Sequence, residues 1–142
     1  MKPDEQEIAA LQQALAGVHA AVWGYGVLGP RLGAEDARGR AAYAEYRSLR
    51  DQVAALIRDR SSVPVAAQAA YALPFEVSGV SAAKRLAVHL EEGCAAVFAD
   101  LVADADLPAV KAFAARILHE CAERRLAWGG TPVAFPGLPE KR

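Results

Sequence analysis

Apolar residues recur along this chain in alternating steps of three and four. Counting from Asp4 they fall at Ile8, Leu11, Leu15, Val18, Val22 and Tyr25, the spacing that turns one face of an α-helix toward a core. Asp4 can cap this first helix while Glu7 closes a capping box, and Gly29-Pro30 kinks or ends it, because proline lacks the backbone donor and crowds the preceding turn. A second stripe runs through Ala42, Tyr46, Leu49, Val53 and Leu56, a third through Leu86, Leu90, Gly93, Val97 and Leu101, and a fourth through Val110, Ala114, Ile117, Cys121 and Trp128. The third helix opens near Ser81, a good capping residue, and the fourth near Asp106-Leu107-Pro108. The pattern predicts helices over about 4–32, 38–60, 81–104 and 107–128. No segment shows the period-two alternation of a strand.

The connections set the topology. Helices one and two, and helices three and four, are joined by a few residues each, which makes antiparallel neighbours. Residues 61–80, SSVPVAAQAAYALPFEVSGV, form a much longer link. A helix of about 23 residues spans roughly 35 Å, and an extended link of about twenty residues reaches at most about 70 Å. The link can therefore cross the whole bundle, which makes helices two and three parallel and gives the ferritin-like order of two hairpins joined by one long crossover. The tail over 129–142 holds too many glycines and prolines for a helix. Its Val133, Phe135 and Leu138 are expected to fold back on the bundle up to the charged last residues, or to join a dimer contact.

Composition adds limits. The 142 residues suit one domain with a real core, here 1–142. No apolar run nears the roughly 20 residues of a membrane span, and the acidic start MKPDEQEIAA lacks the layout of a signal peptide. A cytoplasmic protein is expected. With 16 basic against 17 acidic residues, no field favours nucleic acid. The second helix carries Arg38, Arg40, Arg47, Arg50, Arg58 and Arg60, but Glu45, Asp51 and Asp59 are interleaved, so an ion-paired solvated face is the expectation. Cys94 and Cys121 are too few for a disulfide framework and are read as buried thiols.

AAVWGYGVLG in helix one, RSLRD in helix two, YALPF in the link, LEEGCAAVFADLV in helix three and AWGGTPVAFPGL near the end together form one recognisable pattern. It resembles a bacterial ferritin-like family, the domain-of-unknown-function family number 4439, and the resemblance covers nearly the whole chain. The resemblance implies an all-α, ferritin-like four-helix bundle, cytosolic and dimeric, with no established activity. Members usually carry Glu-His in helix one where this chain has Val18-His19, and a histidine before the Arg-x-x-Arg-Asp run where it has Tyr46. The pattern keeps Arg47, Arg50 and Asp51, and the acidic positions Glu91 and Glu120.

A di-iron carboxylate centre in such a bundle takes a glutamate from each of two helices and a Glu-x-x-His pair from each of the other two. No Glu-x-x-His occurs in the sequence: Glu45 leads to Ser48, Glu91 to Cys94, Glu92 to Ala95 and Glu120 to Glu123. A reduced site could still draw on His19, Glu91 and Glu120. Each also has a plainer use. His19 sits at the margin of its stripe and suits a hydrogen bond to a neighbouring element. Glu91 suits an inter-helix ion pair, and Glu120 an i, i+4 pair with Arg124. Tyr46, Arg47, Arg50, Asp51 and Arg124 are the candidates for a core polar network, with Arg50 reaching inward to Glu91 or Glu120 in place of metal charge. Trp23, Tyr25 and Trp128 are the candidates for a small-molecule pocket.

The resulting expectation is a non-catalytic bundle acting through self-association, as a homodimer, or through a protein partner, with no cofactor, no membrane and no nucleic acid. The alternative is a metal-dependent redox or metal-binding protein that holds iron or manganese at His19, Glu91 and Glu120.

Overall fold

The structure, a computed structural model, describes residues 1–139; Glu140, Lys141 and Arg142, the charged end of the tail, lie outside the described residues. Four helices build it: α1 (Pro3–Leu28), α2 (Asp36–Asp59), α3 (Val80–Asp104) and α4 (Pro108–Ala127), with two 3₁₀ turns, Gly29–Arg31 and Gly33–Glu35, between the first two. Among the described residues there is no strand, and no helix is long and apolar enough to cross a membrane. The close pairs are α1 with α2, α1 with α3, and α3 with α4.

Contacts at the two ends fix the directions. At one end Lys84, in the first turn or so of α3, pairs with Glu35 just before α2 at 3.1 Å. At the other, the α2 C-cap residue Arg60 pairs with Glu7 of α1, and Glu7 also accepts the backbone N–H groups of Asp106 (2.6 Å) and Leu107 (2.8 Å) at the start of α4. So α2 and α3 run in one direction, and α1 and α4 in the other.

Several boundaries differ from the sequence expectation for local reasons. Pro3 occupies the first turn of α1, where its missing N–H costs nothing, and Glu5, not Glu7, reaches back to the Lys2 N–H at 3.3 Å. Glu7 is instead wholly buried. Gly29-Pro30 ends α1 at Leu28 and the chain turns through the two 3₁₀ segments. Both α2 and α4 close with paired hydrogen bonds around a left-handed residue: Ser62 N to Ile57 O and Ser61 N to Arg58 O with Ser61 at φ 57°, then Gly130 N to Arg125 O and Gly129 N to Leu126 O with Gly129 at φ 102°.

The seam of α3 is turned from the expected one. Leu86 and Leu101 are buried as expected, but between them the buried residues are Ala87, Glu91, Cys94, Ala95 and Phe98, while Gly93 is exposed. Leu90 and Val97 flank this seam and enter notches in α1. A Cβ on Gly24 would lie 2.6 Å from Leu90 Cδ1, and one on Gly17 3.0 Å from Val97 Cγ2. Two glycines seven residues apart thus receive two knobs seven residues apart, which lets the helices approach closely.

Residues 60–79 form no regular element and lie along α1. The Gln12 side chain donates to Val63 O (2.7 Å) and accepts the Val65 N–H (2.8 Å), as a neighbouring strand would. His19, two turns on, donates from Nε2 to Val65 O at 2.9 Å. One turn further Trp23 packs on Tyr71 with ring centroids 5.9 Å apart. Replacing both Gln12 and His19 by alanine is expected to destabilise by about 2 kcal/mol, near 1 for each set of bonds, and to speed chymotryptic cleavage at Tyr71. Unchanged cleavage would show that the Trp23–Tyr71 contact, the buried Val77 and Arg85 over the Phe75 ring hold the segment without these bonds. The tail returns over α3 and α4, where Val133, Pro136 and Gly137 lie against Ala95, Ala96 and Ala122, while Phe135 stays 72% exposed.

Candidate functional site

Midway along the bundle a single carboxylate stands in the apolar seam. The positions that bury Ala87, Cys94 and Phe98 on α3 also bury Glu91, whose exposure is 0%. Tyr46 of α2 donates its hydroxyl to Glu91 Oε1 at 2.5 Å, and Tyr25 of α1 donates to Oε2. From α4, Arg124 Nε lies 3.1 Å from Oε1 and 3.2 Å from Oε2. All four helices therefore converge on one carboxylate, and each oxygen receives a hydroxyl and a share of the guanidinium. A carboxylate offers about four lone-pair sites; these are largely taken up.

The two tyrosine rings stack with centroids 5.6 Å apart at 25°, which fixes their hydroxyls on the carboxylate. Arg124 lies over the Tyr46 ring at 4.9 Å, its Nη1 bonds Glu45 at 2.9 Å, and its Nη2 lies 3.8 Å from Cys121 Sγ. It spans from α4 to α2 across a cleft of about 450 Å³, lined by Tyr46, Glu45, Arg116, Glu120 and Arg124 among others. Burial pushes the Glu91 carboxyl above the usual carboxylate range, against the opposing pull of Arg124 and the two hydroxyls. Burial likewise raises both tyrosines, Tyr25 and Tyr46, with the Glu91 charge adding to it. The Cys94 thiol is raised by burial, and Cys121 is pushed up to about 12 for the same reason. Burial opposes the Arg124 charge, but the Tyr46 and Glu91 it faces outweigh that. The centre is an ion pair with neutral phenols and thiols around it.

The candidate ligands occupy three different environments. His19 bonds the connecting segment, Glu91 lies at the centre, and Glu120 pairs with Arg116 at 3.0 Å, an i, i+4 contact on the side toward the preceding turn and not toward Arg124. Of the proposed network, Tyr46 and Arg124 meet at Glu91. Arg50 pairs with its neighbour Asp51 at 3.0 Å, and Arg47 lies 5.6 Å over the Tyr43 ring, so these three stay outside. Tyr25 and Trp128 pack together at 6.4 Å under Arg38, which lies 4.2 Å over the indole; Trp23 faces the connecting segment instead. Two residues have other uses than the expected capping box at Glu7 and solvated face at Glu45. Glu45 completes the reach of Arg124, and Glu7 ties three segments together.

The donor set does not fit a two-metal centre. Val18 is buried in the apolar core, and Tyr46 and Arg124 both donate hydrogen bonds to Glu91. Among the described residues no three of His, Cys, Asp and Glu gather as a metal-holding group.

Fold and site define a class: an all-helical four-helix bundle with a buried carboxylate–guanidinium pair at its middle. The family pattern described as "Domain of unknown function (DUF4439)" matches residues 10–140, and the chain belongs to that family. Its structure is similar to the crystal structure of a conserved hypothetical protein, rv2844, from Mycobacterium tuberculosis. The two share 30% identity and a TM-score of 0.87 over 94% of this chain and 97% of that one. No curated protein matches the chain.

Proposed function

We propose that this chain is a ferritin-like, cytoplasmic bundle that has exchanged metal chemistry for a structural ion pair, and that it acts by self-association or by holding a protein partner. One observation carries the reading: both oxygens of Glu91 are occupied by Arg124, Tyr25 and Tyr46. A metal ion at this carboxylate would have to displace a guanidinium, and two positive charges would then share one buried acid, which burial penalises strongly. Arg124 supplies the charge that an ion would otherwise bring. Phe135 at 72% and Leu138 at 57% exposure support the second half of the reading, since they place apolar side chains where a second chain can cover them.

Metal analysis after growth with added iron and manganese tests the first half. Protein purified without chelator is expected to carry neither metal in stoichiometric amount. Stoichiometric metal that disappears in Glu91→Gln would overturn the reading in favour of a metal-dependent redox protein. For the second half, sedimentation equilibrium of the full chain alone and of Phe135→Ser compares their association.

A further inference from the structure

We propose that the cleft bounded by α1, α2 and the connecting segment is a binding site for a planar aromatic carboxylate, independent of the Glu91 centre. It measures about 490 Å³, within the range of small-molecule pockets. Three aromatic side chains from three separate elements line it: Trp23 from α1, Tyr43 from α2 and Tyr71 from the connecting segment. Gly26 leaves its floor open, since a Cβ there would meet only the Tyr43 ring edge at 3.8 Å. The VWGYGV, RSLRD and YALPF stretches, far apart in sequence, each place a residue on this one surface.

The walls are held in place before any ligand arrives. Gln12 and His19 fasten residues 63–65 to α1, and the Tyr71 hydroxyl accepts the Gln68 N–H at 3.0 Å. Trp23 and Tyr71 meet at 55°, a wedge and not a closed stack, so each keeps ring surface for a third planar group. Such stacking on ordered rings loses little conformational entropy on binding.

Charge decides which planar group. Among the described residues no carboxylate lines the cleft, and Arg50 is its one permanently charged side chain. Its Nε bonds Asp51 at 3.0 Å, on the outer side of the helix where Asp51 is 71% exposed. Its two Nη groups have no hydrogen-bond partner among the described residues. A guanidinium edge with free N–H groups beside aromatic faces matches a carboxylate joined to an aromatic ring: the ring stacks, and the acid takes the fork. A cationic ligand would meet Arg50 with no compensating acid.

Calorimetric titration of the full chain with 2-naphthoate, and with neutral 2-naphthamide of the same shape, tests the assignment. One-site binding of the naphthoate is expected, about tenfold or more tighter than the amide, as one charge-assisted contact gives. Arg50→Gln is expected to bring the naphthoate down to the level of the amide and leave the amide unchanged, and Tyr71→Leu to weaken both. Thermal melts of each variant establish that the fold is intact, and Arg50→Lys serves if Arg50→Gln melts early, with the naphthoate again losing affinity while the amide does not. Equal affinity for the two probes, no saturation up to about 1 mM, or undiminished naphthoate binding in the Arg50 variants would overturn the proposal. None of these results bears on the Glu91 centre, which does not line the cleft.

Discussion

Replacing Arg124 by methionine is expected to lower stability by about 3–5 kcal/mol at neutral pH, the loss typical when one partner of a buried ion pair is removed. The melting temperature should fall by roughly 10 °C or more. Methionine fills the stem of the arginine, so most of the loss is charge and not a cavity. Glu91 is 0% exposed and keeps only the Tyr25 and Tyr46 hydroxyls, two neutral donors, to replace its lost hydration. Stability of the variant should also depend on pH in a stated direction. Burial already raises the Glu91 carboxyl, and Arg124 is the foremost opposing influence; without it the group rises further. The folded chain then binds the Glu91 proton more tightly than the unfolded chain does. Stability from that proton is fully present below the ordinary carboxyl range and is lost as pH rises toward the raised folded value. Urea denaturation at pH 5 and pH 7 should therefore show the variant closer to the parent at pH 5. Adding Glu91→Gln should flatten the difference, because an amide oxygen accepts from the tyrosines without charge. An equal loss at both pH values would show that Arg124 contributes through its packing on the Tyr46 ring, 4.9 Å away, and not through the ion pair.

How far the sequence reveals this arrangement follows from what helix periodicity can carry. Steps of three and four locate helices well, and all four appear, with no strand among the described residues. They locate the angle of the seam less well when glycines intervene. Leu90 and Val97 look like the centre of α3 because they carry large aliphatic side chains in step with Leu86 and Leu101, yet they pack sideways into the Gly24 and Gly17 notches. The true seam passes through Glu91, and a charged residue never scores as apolar. The partner of Glu91 was within reach by another route. The α3–α4 turn is only three residues long, so residues nearly equidistant from it face each other, and Glu91 faces Arg124 as Glu92 faces Arg125 at 2.9 Å. Arg50 offered the same chemistry from α2, but nothing in a periodic pattern says which cation an inter-helix acid will meet. The Trp23–Tyr71 contact depends on the path of an irregular segment, which has no period to read.

Glu7→Ala is expected to destabilise the fold by about 3–5 kcal/mol, comparable to the loss at Arg124, though by a different route. The seam of α1 runs through Leu28, Tyr25, Ala21, Val18, Ala14 and Leu11, all buried, and one more step back reaches Glu7. Its carboxylate occupies that core position because it meets donors from two other segments: the Arg60 guanidinium at the α2 C-terminus and the Asp106 and Leu107 N–H groups that open α4. Leu107 is the N-cap residue of α4, and its N–H is the one a capping-box Glu or Gln at the third helical position would accept; that position holds Val110, so Glu7 supplies the acceptor from α1. It also places negative charge at the positive end of the α4 dipole. Alanine removes all of this at once and leaves the Arg60 guanidinium and two backbone donors without their buried acceptor. Glu7→Gln is the sharper variant: its amide oxygen can still accept from one segment but cannot pair with Arg60 as an ion. The glutamine variant should therefore lose less than the alanine variant. In both, amide hydrogen exchange should quicken first at the α3–α4 turn and the first turn of α4, before the Glu91 layer. Faster exchange spread evenly over all four helices would mean that Glu7 supports the core as a whole and does not hold this junction.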